Sequence, residues 1–127
     1  MIYHGNYNSV DYLEDQDMSA DIEPVWLNIS VVNGCCIGVS WTSTDAEGTL
    51  ECEIGLASYE IVGDSDPDVK ISDVWESVTI SSGTAPDGLK TVLFDVDDTS
   101  ANVIRIKYTA TSGTGTLQAY AYTKSKG

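Results

Sequence analysis

Asp64, Asp66 and Asp68 alternate along Gly63-Asp64-Ser65-Asp66-Pro67-Asp68, and hard carboxylate oxygens at that spacing are a donor set for calcium. A complete EF-hand loop also needs glycine at its sixth position and glutamate at its twelfth, where this chain has Val69 and Trp75. The favoured reading is therefore a solvated acidic loop, with calcium a weak candidate. Asp95, Asp97 and Asp98 form a second acidic cluster with the same reading. Nucleophilic catalysis needs a base beside the nucleophile, and the sole histidine, His4, stands in an amino-terminal stretch without core patterning. Gly38-Val39-Ser40-Trp41 lacks the second glycine of a nucleophile elbow. Gly113-Thr114-Gly115-Thr116-Leu117-Gln118 lacks the third glycine of a dinucleotide loop and opens no helix. Nothing singles out a carboxylate pair for glycoside hydrolysis. The expectation is a protein without catalytic residues or cofactor, which is not an enzyme.

Aromatic side chains are the remaining chemical signal. Tyr3, Tyr7, Tyr12, Trp26, Tyr120 and Tyr122 are the interface candidates, and Trp75 joins them as a platform for stacking on sugar rings. Tyr120 and Tyr122 share a strand face with Gln118, opposite Leu117, Ala119 and Ala121. Because that opposite face is made of small residues, the two tyrosines are expected to fill the core against Trp41. Outward placement, giving a flat amphipathic patch, is the alternative.

The elements that position these residues read as strands. Asn102 to Thr123 is a hairpin: Ile104, Ile106, Tyr108 and Ala110 alternate with polar residues, Ser112-Gly113-Thr114-Gly115 turns the chain, and alternation resumes at Leu117. Val25 to Val32 and Cys35 to Thr42 flank Asn33-Gly34, which predicts a tight hairpin with Trp41 in the core. Leu50, Cys52, Ile54 and Leu56 alternate with Glu51, Glu53, Gly55 and Ala57, one face buried and one wet. Lys70 to Ile80 and Thr91 to Val96 complete the set. About seven to eight short antiparallel strands and no helical period predict an all-β fold, a jelly-roll-like β-sandwich over residues 25–127. Residues 1–24, without sustained periodicity, predict an extended amino-terminal arm, lying along its own sandwich or a neighbouring subunit. Its deletion is expected to weaken docking more than it lowers the melting temperature.

With 127 residues the chain can bury a core without staples. Its net charge of −14 is lopsided, since fourteen of the twenty acidic residues precede the first base, Lys70. Such a surface repels nucleic acid and anionic lipid, so neither is expected as a partner. Cys35, Cys36 and Cys52 lack CxxC spacing and are expected as free thiols. The opening MIYHGNYNSVDYLEDQD has neither a basic start nor an apolar run, so no secretory signal is expected, and no apolar run is long enough to cross a bilayer.

Several stretches together resemble small structural proteins of tailed bacteriophages. They are Ser19-Ala20-Asp21-Ile22, Trp41-Thr42-Ser43-Thr44, Glu47-Gly48-Thr49-Leu50-Glu51-Cys52-Glu53-Ile54, Trp75-Glu76-Ser77-Val78, and Ile104 to Leu117 with its Tyr108-Thr109-Ala110-Thr111-Ser112-Gly113-Thr114-Gly115-Thr116-Leu117 core. Lys124 or Lys126 matches a closing lysine, and the similarity runs from about Ser19 to the end. The chain departs at Ile54-Gly55-Leu56-Ala57-Ser58-Tyr59-Glu60, where such proteins carry a different turn. The resemblance implies a virion component with a β-sandwich fold, made in the host cytoplasm. The leading expectation is a capsid decoration or cement protein, a homo-oligomer such as a trimer, bound to the major capsid protein or other virion proteins. A tail or neck adaptor and a virion-surface carbohydrate-binding module are the alternatives.

Overall fold

The computed structural model describes residues 6–29, 32–58, 68–97 and 100–125. Eight strands run in chain order: β1 (Asn6–Asp17), β2 (Leu27–Asn28), β3 (Val32–Thr42), β4 (Glu47–Ser58), β5 (Asp68–Ile80), β6 (Thr91–Asp97), β7 (Val103–Ser112) and β8 (Thr116–Ser125). They form two four-stranded antiparallel sheets, ordered β1-β8-β3-β6 and β2-β7-β4-β5. The pairings are nested: β1 with β8, β2 with β7, β3 with β6 and β4 with β5. That wrapping is a jelly roll, so the expected all-β sandwich is the fold.

The alternation that marks each strand decides what lies between the sheets. From the first sheet, Ile37, Val39 and Trp41 on β3, Phe94 and Val96 on β6, and Leu117, Ala119 and Ala121 on β8 are buried. They meet Leu50 and Cys52 on β4 and Ile104, Ile106 and Tyr108 on β7. Each fully buried large aliphatic side chain here contributes about 1.5–3 kcal/mol. Trp41 is in the core as expected, and its indole N–H donates to the Gly83 carbonyl at 2.8 Å. The small residues of β8 belong inside because the bulk facing them comes from other strands.

Two expectations are corrected. The Asn33-Gly34 hairpin does not form, because β2 and β3 lie in different sheets and β3 runs through Asn33 and Gly34. Gly34 pairs with both Lys124 and Asp97, and a register shift between Val32 and Gly34 takes up the irregularity. A dipeptide that suits a tight turn also suits a bulge, and burying the apolar β3 between two partner strands selects the bulge. The stretch read as an arm, along its own sandwich or a neighbouring subunit, lies from Asn6 onward along its own sandwich, and the correction is that it is a paired strand with core residues and not a lead-in outside the core. β1 pairs with β8 from Asn6↔Ser125 to Asp17↔Thr116, with two register shifts that its irregular polarity pattern hid. Leu13, Met18 and Ile22 are buried, and Ile22 bridges to Tyr108 as the chain crosses to the second sheet.

The loops at one end are tied to the β7–β8 turn. The Ser43 hydroxyl donates to the Thr114 carbonyl at 2.5 Å and accepts the Ala46 N–H at 2.9 Å. The Thr114 N–H donates to Asp45 at 3.0 Å, and the Met18 N–H to the Gly115 carbonyl at 2.9 Å. Gly113 holds φ +83°, with the Asp45–Ala46 backbone against the position of its absent side chain. The glycine-rich turn is a packing joint between three segments.

Candidate interaction surface

On the outward face of the first sheet, cross-strand register brings together residues that sequence spacing separates. One row reads Leu93, Gly38, Tyr120, Asp11, and the next reads Asp95, Cys36, Tyr122. Tyr120 and Tyr122 are 39 % and 49 % exposed and Leu93 is 64 % exposed, which corrects the expectation that the tyrosines fill the core. The parity of β8 leaves no choice: with Leu117, Ala119 and Ala121 inside, residues 118, 120 and 122 must face out. Gly38 has no side chain between Leu93 and Tyr120, and the Leu93 Cδ1 lies 3.8 Å from where a Cβ would stand. Gln118 spans the edge of the patch, donating to Asp15 at 3.1 Å and accepting the Tyr120 hydroxyl at 3.4 Å. The result is an aromatic trough with carboxylates at both borders.

The outward face of the second sheet carries a closed arrangement of similar parts. The Arg105 guanidinium lies 4.4 Å from the Trp26 ring centroid. Its Nε donates to Glu53 at 2.9 Å and its Nη2 to Glu23 at 3.4 Å. The Arg105 and Glu53 side chains are only 18 % and 14 % exposed, so this pair is shielded from screening. Trp26 thus pins the chain preceding β2 against β7.

β5 is one edge of the second sheet, opposite the two-residue β2. Ile71, Val74 and Trp75 on it are exposed, as is Leu56 on β4. A groove of about 320 Å³ runs beside them, lined by Ile54, Leu56, Ile71, Asp73 and Ala101 among others. β4 alternates as expected through Cys52, but Ile54 is half-buried and Leu56 exposed because the strand runs past the core. Register shifts at Cys52/Glu53 and Leu56/Ala57 bend β5, and the charges of Lys70, Asp73 and Glu76 lie along it. Bulges and charges of this kind discourage another strand from pairing there.

Of the remaining candidates, Tyr12 is half-buried, its hydroxyl donates to the Val25 carbonyl at 2.9 Å, and burial pushes its pKa up. The backbone of Tyr7 pairs with Lys124, while Tyr3, His4, Asp64 and Asp66 lie outside the described residues. Asp68 is exposed and pairs with Lys70. Among the described residues no three histidine, cysteine or acidic side chains gather around a point where a metal would sit. Cys35, Cys36 and Cys52 are free. Burial pushes the Cys35 thiol up to about 11 and the Cys52 thiol up to about 12. Burial first, and then the Asp95 carboxylate, also raise Cys36. All three are protonated at neutral pH, and thiols in that state are weak nucleophiles.

Leu93 and Asp11 were not singled out by sequence, Asp95 only as part of an acidic cluster, and Gly38 only as the start of a rejected elbow. The only signal that finds them is the strand order, because each becomes a neighbour of Tyr120 or Tyr122 through a long-range pairing.

No protein-family model and no curated protein matches the chain. Among solved structures, it is similar to the prophage-derived protein YomS of SPBc2, with a TM-score of 0.55, 11 % identity and 98 % of each chain covered. It is also similar to VP2 of infectious bursal disease virus in its subviral particle, with a TM-score of 0.56 and 11 % identity. There 98 % of this chain matches 34 % of the viral chain, so the likeness is to about one third of that protein. A particle of the Gx strain of the same virus matches with a TM-score of 0.53 and 10 % identity over 96 % of this chain and 32 % of the other. At these identities the shared property is the fold.

Proposed function

We propose that this chain is a structural protein of a bacteriophage virion, a decoration or cement protein that binds the outer capsid shell and stabilises it. The observation that carries the reading is the jelly roll shared with a prophage-derived protein along 98 % of both chains. The matching domain of a viral capsid protein supports it further. In this reading the protein acts by binding, without turnover, and the outward face bearing Tyr120, Tyr122 and Leu93 meets the major capsid protein. Such a decoration protein works as a homo-oligomer, of which a trimer suits three-fold positions on a shell. The net charge of −14 keeps it off the packaged nucleic acid and favours a neutral or basic docking surface.

Copy number tests the reading. Quantitative mass spectrometry of purified particles is expected to count hundreds of copies per particle, since an icosahedral shell repeats its docking site that often (on the order of 10² sites). A count near six or twelve assigns the protein to a tail or neck ring instead. Complete absence from the particle overturns a virion role.

A further inference from the structure

We propose that the outward face of the first sheet is a receptor for arginine side chains of a partner protein. Its two tyrosines supply the stacking surface, and Asp11 and Asp95 supply the counter-charges. The inference rests on the docking reading above and names the chemistry of that same face.

The argument begins with what the molecule does on its other face. There Arg105 lies over Trp26 with Glu53 and Glu23 on its nitrogens, a ring, a guanidinium and two carboxylates completed within one chain. On the first sheet the ring and the carboxylates recur, and among the described side chains there no cation joins them. Asp11 is directly opposite Tyr120, and Asp95 shares a row with Tyr122 across Cys36. Cross-strand neighbours lie on the order of 5 Å apart, so a guanidinium over the Tyr120 ring is within reach of Asp11. One strand further out, Asp95 reaches a second cation over Tyr122. Among the described side chains of this face none is cationic, and neither Asp11 nor Asp95 has an ion pair among the described residues.

Shape agrees with charge. Gly38 floors the space between Leu93 and Tyr120, so an aliphatic stem can lie along the sheet while its planar head stacks on the ring. Tyr120 and Tyr122 are two residues apart on one strand, about 7 Å along it, which is the spacing of alternate side chains on an extended partner segment. Arginine fits better than lysine because its flat, weakly hydrated head can stack and pair with a carboxylate at once. A neutral glycan could use the rings but would leave the bordering carboxylates without a role.

The test uses the full chain, isotopically labelled, titrated with an acetylated hexapeptide that alternates arginine with threonine. Lysine and glutamate versions of that peptide and a neutral maltohexaose are run beside it. The expected result is saturable amide shifts at Cys36, Gly38, Asp95, Tyr120 and Tyr122 with the arginine peptide, weaker with lysine and missing with glutamate. Replacing both Tyr120→Ala and Tyr122→Ala is expected to weaken binding roughly tenfold, while the two Tyr→Phe changes hold it within about twofold. Asp11→Asn with Asp95→Asn is expected to cost about threefold and to flatten the salt dependence. Shifts scattered over other acidic segments, no shifts at millimolar peptide, or full binding by the double alanine variant each overturn the inference. Maltohexaose shifting this face while the arginine peptide does not also overturns it, and makes the face a sugar site. Binding of the same variants to particles lacking the protein separates the two proposals. Loss of particle binding by the alanine pair without any response to the arginine peptide refutes the arginine chemistry and leaves the docking face. Intact particle binding by that pair refutes the docking face.

Discussion

Gly113 and Gly88 offer a matched pair of substitutions that isolates the role of the turn joint. Both have positive φ, +83° and +82°, so alanine at either meets the same unfavourable left-handed backbone, about 1–2 kcal/mol. Alanine also narrows the unfolded ensemble, which offsets roughly 0.4–1 kcal/mol at each site. Their surroundings differ. Nothing lies within 4 Å of a Cβ built on Gly88, whereas one built on Gly113 stands 2.6 Å from the Asp45 carbonyl carbon and 2.7 Å from the Ala46 Cα. Those are backbone atoms held by Ser43 and Thr114, so the neighbour cannot swing aside as a side chain would. Displacing them adds an overpacking cost of about 1–3 kcal/mol and loosens hydrogen bonds worth about 1 kcal/mol each. Gly88→Ala is therefore expected to cost at most about 1.5 kcal/mol and Gly113→Ala about 3–5 kcal/mol. For a domain of this size that is a fall in Tm of at most about 6 °C against about 10 °C or more. Urea and thermal melts followed by circular dichroism and by the fluorescence of the three tryptophans would read both. Melting of Gly113→Ala within a few degrees of Gly88→Ala would refute the claim that the turn is a packing joint.

Other expectations follow from single observations. The Tyr108 hydroxyl is buried with no hydrogen-bond partner among the described residues, so Tyr108→Phe is expected to leave stability unchanged or raise it by up to about 1 kcal/mol, read as the urea midpoint. A loss of more than about 1 kcal/mol would show that the hydroxyl has a partner after all. At neutral pH a thiol reagent is expected to label half-exposed Cys36 in the folded protein and to spare Cys35 and Cys52, with modification sites mapped by mass spectrometry. Because burial raises the Cys52 thiol to about 12, the unfolded chain releases that proton first as pH rises. The stability tied to it is intact below the ordinary thiol value and drains away toward pH 12, with roughly 2 kcal/mol gone by about pH 10.5. Cys52→Ala should remove that part of the alkaline slope, and an unchanged slope would exclude Cys52 as its source. Deleting residues 1–24 is expected to lower Tm by more than about 10 °C or abolish folding, since it strips β1 from β8 and removes buried Leu13, Met18 and Ile22. A truncated chain that melts like the full one would restore the view of this stretch as an arm.

The local alternation of Ile104, Ile106 and Tyr108 and of Leu50 and Cys52 was enough to establish those strands, the all-β class and much of the core, whereas that of Leu117, Ala119 and Ala121 marked a strand without telling which of its faces is buried. Strand parity needs only neighbouring residues, and burial of one face follows from water's exclusion of apolar surface. The charge of −14 and its amino-terminal excess were equally legible, because charge does not depend on folding. What the tertiary structure decided is partnership. Asn33-Gly34 suits a turn and a bulge alike, and only the separation of β2 and β3 into different sheets selects the bulge. Asn6 to Asp17 has too irregular a pattern to announce a strand, and its pairing with β8 bridges more than a hundred residues of sequence. The trough of Leu93, Gly38, Tyr120 and Asp11 draws on four strands, and each pairing closes a loop whose entropic cost is met only by the assembled core. A surface built from such long-range neighbours is written in no local stretch of the chain.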